Sequence, residues 1–121
     1  MKIYVASSIL NKKKVQKVQQ KLTNLGHTIT FDWTKDEAIN KEASVVCAFN
    51  DLGGVFTADC IVILAPGRIG TFTEFGYALG LGRPVILVGF DANDCPFFLL
   101  PSVQRINRIK DLNCALESLD L

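Results

Sequence analysis

The chain has 121 residues, which suits one compact domain over residues 1–121 and leaves too little length for a second. With 49% hydrophobic and 21% charged residues, its composition is that of a folded globular protein rather than of a disordered chain. Thirteen basic and twelve acidic residues give a net charge of +1, so there is no basic excess of the kind that binds nucleic acid or acidic membranes.

The cysteines do not indicate a metal site. All four are widely spaced, there is no Cys-x-x-Cys pair, and His27 is the only histidine, so neither a zinc ion nor another cofactor is predicted. Met1 leads directly into a short apolar run without the longer apolar region of a secretory signal, and no apolar run is long enough to cross a bilayer. We therefore expect a cytoplasmic protein with reduced thiols.

In the first half of the chain, strand and helix patterns alternate. Residues 2–6 are rich in strand-forming side chains and predict a buried strand. The next segment predicts a helix that ends at Gly26, because four apolar residues recur on one helical face: Val15, Val18, Leu22 and Leu25. Residues 27–33 predict a second strand, and residues 35–50 predict a weaker helix that residues 51–54 break or turn into a further short helix.

The second half of the chain contains the clearest strand. Residues 60–65 are apolar throughout, as a central strand of a parallel sheet must be. After a loop, residues 71–81 predict a third helix. The remaining predicted elements are a strand over 85–88, an irregular segment over 91–101, a strand over 104–109 and a helix over 110–118.

This alternation predicts an α/β fold. Short apolar strands separated by helices are typical of a doubly wound, five-stranded parallel sheet of the flavodoxin-like kind, with helices on both faces in three α/β/α layers. In such sheets ligands bind outside the carboxyl ends of the strands, near the point where the strand order reverses. The loops after Ala6, Trp33 and Ala65 are therefore expected to meet at one ligand-binding edge.

Glu74 has two interpretations at this stage. Thr71 followed three residues later by Glu74 matches a capping box, in which each side chain satisfies a free amide of the first helical turn. The same place near the start of a helix also suits a nucleophile, since a helix N-terminus favours the ionised carboxylate that a nucleophile requires. Spacing alone leaves both interpretations open.

Several short motifs occur in order over residues 1–90. They are residues 3–8 at the start, Asn50-Asp51-Leu52-Gly53-Gly54, Asp59 before the third strand, Glu74-Phe75-Gly76-Tyr77-Ala78, and Gly82-Arg83-Pro84-Val85. Together these motifs resemble the nucleoside 2-deoxyribosyltransferase family, including its branch that hydrolyses deoxynucleoside 5′-monophosphates. The resemblance implies one such domain over the chain, acting as a homo-oligomer on a small nucleoside or nucleotide.

The resemblance also implies roles for three catalytic residues. Glu74 matches the nucleophilic glutamate, which displaces the base and holds the deoxyribose at its anomeric carbon. Asp51 matches an aspartate able to share a proton with the departing base, and Tyr4 matches a tyrosine that holds the nucleophile through its hydroxyl. The set is chemically sensible, because an oxocarbenium-like centre is stabilised by a close carboxylate and a leaving base needs a proton. The sugar then passes to another base or to water.

Arg68 departs from the family pattern. Six residues before the nucleophile, members specific for nucleosides carry an aspartate that bonds the 5′-hydroxyl, and the monophosphate branch carries a serine. An arginine favours an anion, which indicates a 5′-monophosphate, although a solvated arginine remains an open alternative.

The role of Trp33 is left open, because its ring could stack on a base or could serve the structure alone. The candidate substrate-binding residues are Ser7, Ser8, Trp33, Asn50, Gly67, Arg68, Gly70 and Tyr77.

Other functions remain open. The run from Pro66 to Glu74 is faintly similar to the Pro-Gly-Gly-x-Gly-Thr-x-x-Glu motif of cytokinin-activating phosphoribohydrolases, but Arg68 interrupts its double glycine. A non-catalytic nucleotide-binding or sensing domain is a further alternative, because the chain is short.

Two features of the sequence support the predicted homo-oligomer. One is the apolar run over residues 97–100, and the other is a strip of small residues at Gly76 and Gly80. This strip predicts either a close contact between helix and sheet or a subunit interface.

Overall fold

The structure is a computed structural model that describes residues 1–119. The strands are β1 (Lys2–Ala6), β2 (Thr28–Ile29), β3 (Cys60–Leu64), β4 (Val85–Val88) and β5 (Val103–Ile106). They form one parallel sheet in the order β2-β1-β3-β4-β5, which confirms the predicted doubly wound fold. The helices are α1 (Lys12–Asn24), α2 (Lys41–Thr57), α3 (Ile69–Gly80) and α4 (Leu112–Glu117). None of the helices in the described range is long and apolar enough to span a membrane.

The sheet lies between two helical layers. Alternate residues of each strand face opposite sides, so β3 must be apolar on both faces. Cys60, Val62 and Leu64 pack in one core with α1 and α4, which contribute Val15, Val18, Leu22, Leu112 and Leu116. Ile61 and Ile63 pack in the other core with Val55 of α2, with Ala58 just after it, and with Phe75 and Ala78 of α3.

The strand order reverses at β1. From β1 the chain goes to β2 on one side and then returns to β3 on the other, so the carboxyl ends of β1 and β3 are neighbours, with Ala6 opposite Ile63. Ligands bind at such a switch point in open α/β sheets. The loops that follow these two strands therefore frame the site described below.

The second strand is shorter than predicted. Residues 27–33 were expected to be extended, but β2 contains only Thr28–Ile29, and Trp33–Lys35 forms a single 3₁₀ turn. The Asp32 carboxylate accepts a hydrogen bond from the Thr34 amide at 3.1 Å and so begins this turn. An aspartate that bonds the backbone two residues later is a turn former, which explains why the edge strand ends early.

Helix α2 is continuous, so the expected break at residues 51–54 is wrong. The helix runs for 17 residues from Lys41 to Thr57. Each helical glycine costs about 1 kcal/mol relative to alanine, but Gly54 and the adjacent Val55 are buried against the sheet. Thr30 also donates its hydroxyl to the Gly54 carbonyl at 2.7 Å. Tertiary contacts therefore offset the low helix propensity of the glycine pair.

Helix α3 begins two residues earlier than predicted, at Ile69. Thr71 is consequently in the first turn, where its hydroxyl accepts a hydrogen bond from the Arg68 amide at 3.1 Å. Glu74 falls in the second turn, beyond the free amides at the helix start. The predicted capping box between Thr71 and Glu74 is therefore wrong, and Glu74 has no capping role.

Candidate active site

A cleft of about 210 Å³ opens at the carboxyl ends of β1 and β3. The loop after β1, the turn at Trp33 and the start of α3 meet here, as predicted, and α2 closes one side. Six of the predicted site residues line the cleft together with Ile9 and Thr71: Ser7, Trp33, Asp51, Arg68, Gly70 and Glu74.

The three predicted catalytic residues come together from three different elements. Tyr4 lies on β1, Asp51 on α2 and Glu74 on α3. The Tyr4 hydroxyl, Asp51 Oδ1 and Glu74 Oε2 are all buried without a hydrogen bond of ordinary geometry to any described residue. The hydroxyl is nevertheless close enough to both carboxyls to affect their pKa values. Asp51 and Glu74 line the cleft, whereas Tyr4 is buried behind its lining. Buried polar atoms are usually paired, so three unpaired ones close together indicate a functional site.

Burial dominates the electrostatics of this cleft. It raises the pKa of Glu74 to about 7, and the charge of Asp51 raises it as well, while the Tyr4 hydroxyl acts in the opposite direction. Burial likewise raises the pKa of Asp51 to about 6, assisted by the charge of Asp36 and opposed by Tyr4. We expected the start of α3 to favour an ionised Glu74, but the side chain lies beyond the first turn, where the helix dipole has little effect.

Tyr4 keeps its proton. Burial, followed by the two carboxyls at Glu74 and Asp51, raises the pKa of this phenol well above its usual range. A phenol that stays protonated can only donate toward a neighbouring carboxylate. The role expected of Tyr4, to orient Glu74 through its hydroxyl, stays a prediction.

No lysine or arginine among residues 1–119 forms an ion pair with Asp51 or Glu74. The ion pairs in this part of the chain are Lys35 with Asp32 and Arg108 with Asp111. Arg68 lines the same cleft but is exposed at its mouth. A buried cleft with uncompensated carboxyl groups favours the binding of protons and the stabilisation of positive charge that develops on a substrate.

Gly54 sets the position of the Tyr4 ring. In the sequence it was noted only as part of the Asn50–Gly54 motif. A Cβ added at Gly54 would lie 2.6 Å from Cδ1 of Tyr4 and 3.0 Å from Cβ of Phe31. Only a residue without a side chain lets α2 approach the tyrosine ring this closely. The Asp51–Gly54 segment thus supplies both a carboxyl group and the space for the ring beside it.

The two predicted serines connect the loops that frame the cleft. Ser7 donates its hydroxyl to the Leu64 carbonyl at 2.7 Å and accepts from the Asn11 side-chain amide at 3.0 Å. Ser8 donates its backbone amide to the Pro66 carbonyl at 2.9 Å, and its hydroxyl accepts from the Leu10 amide. Ser7 lines the cleft, whereas Ser8 does not.

Trp33 has the structural one of the two roles that were left open, and base stacking stays a prediction. Its indole Nε1 donates to the Val5 carbonyl at 2.7 Å, which fixes the ring against β1. The ring also lines the cleft. A flat aromatic surface that is already immobilised suits the stacking of a base.

Three further predicted residues lie outside the cleft. Asn50 is exposed on α2, and Tyr77 packs on the sheet face that carries α2 and α3. Gly67 lines a separate groove of about 900 Å³ on the other side of α3. This groove is built mainly from the aromatic rings of Phe72, Phe75, Phe90, Phe97 and Phe98. It contains none of the three predicted catalytic residues.

Asp36 is the residue that the sequence did not single out. It follows the turn at Trp33–Lys35, and its Oδ2 is buried without a hydrogen-bond partner among the described residues. No local pattern marks it, because only the packing of this turn against α2 brings it near Asp51. The acidic residues do not form a metal site: within residues 1–119 there is no group of three or more potential ligands with suitable geometry.

Two enzymes are among the solved structures to which this chain is similar. A 2-deoxyribosyltransferase from the psychrotolerant bacterium Bacillus psychrosaccharolyticus has a TM-score of 0.73 and 26% sequence identity, covering 100% of this chain and 93% of that one. A CMP N-glycosidase of Clostridium botulinum, BcmB, has a TM-score of 0.68 and 17% identity over 97% of this chain and 99% of that one, and it supports the fold. No family model and no curated protein matches the sequence.

The 2-deoxyribosyltransferase neighbour, 26% identical over the full chain, confirms the resemblance to the nucleoside 2-deoxyribosyltransferase family that the motifs indicated. A 2-deoxyribosyltransferase acts on the N-glycosidic bond between deoxyribose and a base. The comparison therefore supports an enzyme that cleaves or transfers such bonds.

Proposed function

We propose that this protein cleaves the N-glycosidic bond of 2′-deoxynucleosides or their 5′-monophosphates through a covalent intermediate on Glu74, and passes the sugar to a second base or to water. The main observation in favour is that Asp51 and Glu74 line one small cleft, that the fully buried Tyr4 lies close to both, and that each of the three has a buried and unpaired oxygen. The similarity to a 2-deoxyribosyltransferase supports the type of bond that is broken.

In the first step a Glu74 carboxylate oxygen forms a bond to the anomeric carbon of the sugar. The bond from that carbon to the base nitrogen breaks, its electron pair stays with the base, and Asp51 supplies the proton that the base nitrogen takes up. The transition state resembles an oxocarbenium ion, which the negative cleft stabilises. Tyr4 donates its hydroxyl toward Glu74 and limits the orientations of the nucleophile.

The productive protonation state has one proton in the carboxyl pair, on Asp51. The pKa of Glu74, about 7, lies above that of Asp51, about 6, so a single proton in the pair resides mainly on Glu74 and the productive arrangement is the less populated one. The form with a charged Glu74 and a protonated Asp51 reacts, and the form with the reverse arrangement does not. Activity should therefore depend on where the single proton resides.

In the second step water or the nitrogen of another base attacks the anomeric carbon. Glu74 leaves as a carboxylate, and the proton released by the attacking group returns to Asp51. The acceptor that occupies the space vacated by the first base decides whether the outcome is hydrolysis or transfer. Trp33, fixed by its bond to the Val5 carbonyl, provides one flat wall for either base.

Product analysis tests this proposal. The purified protein is incubated with deoxynucleosides, their monophosphates and the matching ribonucleotides, with and without a second free base, and the products are separated by chromatography. Release of a free base from a deoxy substrate, and of a new nucleoside when a second base is present, is the expected result. Cleavage of ribonucleotides alone would favour the phosphoribohydrolase alternative, and binding without any product would favour a sensing domain.

The role of Glu74 is tested with Glu74→Ala. Because Glu74 does not cap α3, this variant should fold, and its cleavage rate should fall by several orders of magnitude. Mass spectrometry of the wild-type protein during turnover should show a covalent sugar adduct on the peptide that contains residue 74. Near wild-type turnover in a folded Glu74→Ala protein would contradict the nucleophile assignment.

We also propose that the protein is a homodimer paired through the outer face of α2. Val45, Phe49 and Phe56 are 48%, 70% and 54% exposed, and together with Leu52 they form one stripe at offsets 0, 4, 7 and 11. This stripe lies on the side of α2 opposite the buried Gly54, and its spacing is that of a seam between two packed helices. A second copy presents the same uncharged stripe and can cover it by a two-fold contact.

The small-residue strip on α3 is compatible with such an assembly. A Cβ added at Gly76 or Gly80 would meet nothing within 4 Å. The alternative interpretation of this strip as a close contact between helix and sheet is therefore wrong. Both glycines are exposed, so the surface there remains open to a neighbouring molecule.

A further inference from the structure

The groove on the other side of α3 is separate from the catalytic cleft, and the proposed function does not use it. Its volume is about 900 Å³, and small-molecule sites usually have volumes of about 300–1,000 Å³. Helix α3 is the wall between the two sites. Phe72 and Phe75 line the groove, whereas Thr71 and Glu74 line the cleft, and none of the described residues that line one site also lines the other.

Aromatic rings form the inner surface of this groove. Phe98 is only 3% exposed, and the centroid of its ring lies 5.5 Å from that of Phe90, 5.7 Å from that of Phe75 and 6.3 Å from that of Phe72. Phe72 and Phe97 keep 40% and 59% of their surface exposed. The face of an aromatic ring carries partial negative charge and attracts a flat ring edge or a cation.

The walls of the groove are held in place before any ligand arrives. A Cβ added at Gly67 would lie 2.6 Å from Cζ of Phe72, so the glycine lets this ring lie directly on the loop after β3. The Arg105 guanidinium of β5 donates to the Phe98 carbonyl. The Asp91 carboxylate accepts from the backbone amide two residues later at 2.9 Å. A site that is already formed loses less entropy on binding.

The charged residues of the groove all have one sign. Asp91 and Asp94 line it and are exposed, and no lysine, arginine or histidine among the described residues lines it with them. Neither acid forms an ion pair within residues 1–119. The groove therefore attracts a cation and repels an anion.

We propose that this groove is a second ligand site, which binds an aromatic organic cation such as an aryl amidine or an aryl ammonium compound. The aromatic part of the ligand packs against the phenylalanine rings, and its cationic group lies toward Asp91 and Asp94. The inference does not depend on the proposed function, because it concerns residues that the cleft does not share. The alternative occupant is a second copy of the chain, since Phe97 belongs to the apolar run that supported a homo-oligomer.

Three ligands of the same shape test the choice of charge. Para-aminobenzamidine carries a positive charge, para-aminobenzamide is neutral and para-aminobenzoate is negative. Isothermal titration calorimetry should show that the amidine binds roughly fivefold to thirtyfold more tightly than the amide, because cation–π and ion-pair attraction add to the same aromatic contact. The benzoate should bind more weakly than the amide. Equal affinity for the amidine and the amide, or no binding of the amidine, would overturn the proposal.

Variants test the residues. Asp94→Asn should lower the affinity for the amidine by roughly threefold to tenfold and leave that for the amide unchanged, whereas Phe97→Ala should weaken both. Asp94 and Phe97 are exposed, so neither substitution removes core packing. Glu117→Gln, an exposed acid on α4, should match the wild-type protein. Unchanged affinity for the amidine in Asp94→Asn would contradict the role of the acidic rim.

Two further measurements identify the occupied surface. In ¹H–¹⁵N NMR spectra the amidine should shift the amides of residues 89–98, and Glu74→Gln should bind it as the wild-type protein does. Shifts confined to Ser7, Trp33 and Arg68 would place the cation in the catalytic cleft and overturn the proposal. Light scattering should give the same mass for Phe97→Ala and for wild type. A lower mass for the variant would assign the groove to a contact between copies of the chain instead.

Discussion

Gly54 on α2 and Tyr4 on β1 approach so closely that a methyl group on Gly54 would lie 2.6 Å from the tyrosine ring. The contact joins the helix that carries Asp51 to the strand that carries the phenol. It therefore sets the position of the Tyr4 hydroxyl relative to both carboxyl groups of the candidate site. The neighbouring Gly53 has open space around it and provides a matched comparison.

Gly54→Ala should therefore be destabilising and less active, whereas Gly53→Ala should not. Both substitutions gain up to about 1 kcal/mol of helix propensity. At Gly54 the added methyl group forces the ring of Tyr4 to move, which costs about 1–3 kcal/mol and displaces the hydroxyl from Glu74. Urea unfolding and kcat of the two variants provide the measurement. Equal stability and equal kcat in both would show that the ring adjusts without consequence.

Glu74→Gln should stabilise the protein at neutral and alkaline pH. The pKa of Glu74 is raised from 4.5 to about 7 by burial, so the folded state binds this proton more tightly than the unfolded state does. The stability linked to Glu74 is thus fully present below about pH 4.5 and is lost as the pH rises toward 7. A glutamine does not titrate and avoids this loss, which amounts to roughly 2–3 kcal/mol.

The measurement is the free energy of unfolding of wild type and Glu74→Gln at several values between pH 4 and pH 8. The difference between the two proteins should grow in favour of the variant across this range. Glu117→Gln, an exposed acid on α4, serves as the control and should show no such trend. A constant difference between wild type and Glu74→Gln would mean that the carboxyl group is not buried in its charged form.

Arg68→Ala should reduce the preference for a 5′-monophosphate. Arg68 is exposed at the mouth of the cleft and makes no ion pair among the described residues, so its guanidinium is available to a phosphate. Hydrogen bonds to a charged partner contribute about 1.5–3 kcal/mol, so the ratio of kcat/KM for monophosphate over nucleoside should fall by roughly tenfold to a hundredfold. Lys17→Ala removes an exposed cation on α1 and should leave this ratio unchanged. A wild-type preference for the free nucleoside would contradict the phosphate assignment.

Phe49→Glu should convert the proposed dimer into a monomer. The substitution places a charge in the centre of the apolar stripe on α2, where burial against a second copy would require its desolvation. Leu25→Glu is the control, because Leu25 is similarly exposed but follows α1 on the opposite face of the sheet. Light scattering at micromolar concentration should give a dimer mass for wild type and Leu25→Glu. A monomeric wild-type protein would refute this interface.

The order of the main elements, the parallel sheet and most of the cleft could be predicted from the sequence. Strand β3 is apolar at every position because both of its faces are buried, and this property is local enough to be read directly. The apolar face of α1 follows a helical period for the same reason. The motifs around Asp51 and Glu74 predicted two carboxyl groups at the ligand-binding edge of the sheet, and these groups lie on α2 and α3.

Tertiary packing decided the remaining features. Propensity favours a break at Gly53 and Gly54, but the helix continues because the close approach of α2 to Tyr4 stabilises it. The spacing of Thr71 and Glu74 matches a helix cap, but the helix begins earlier and burial raises the pKa of Glu74 instead. Asp36 has no sequence signal, because its effect on Asp51 depends on the distance and burial of two charges that are far apart along the chain.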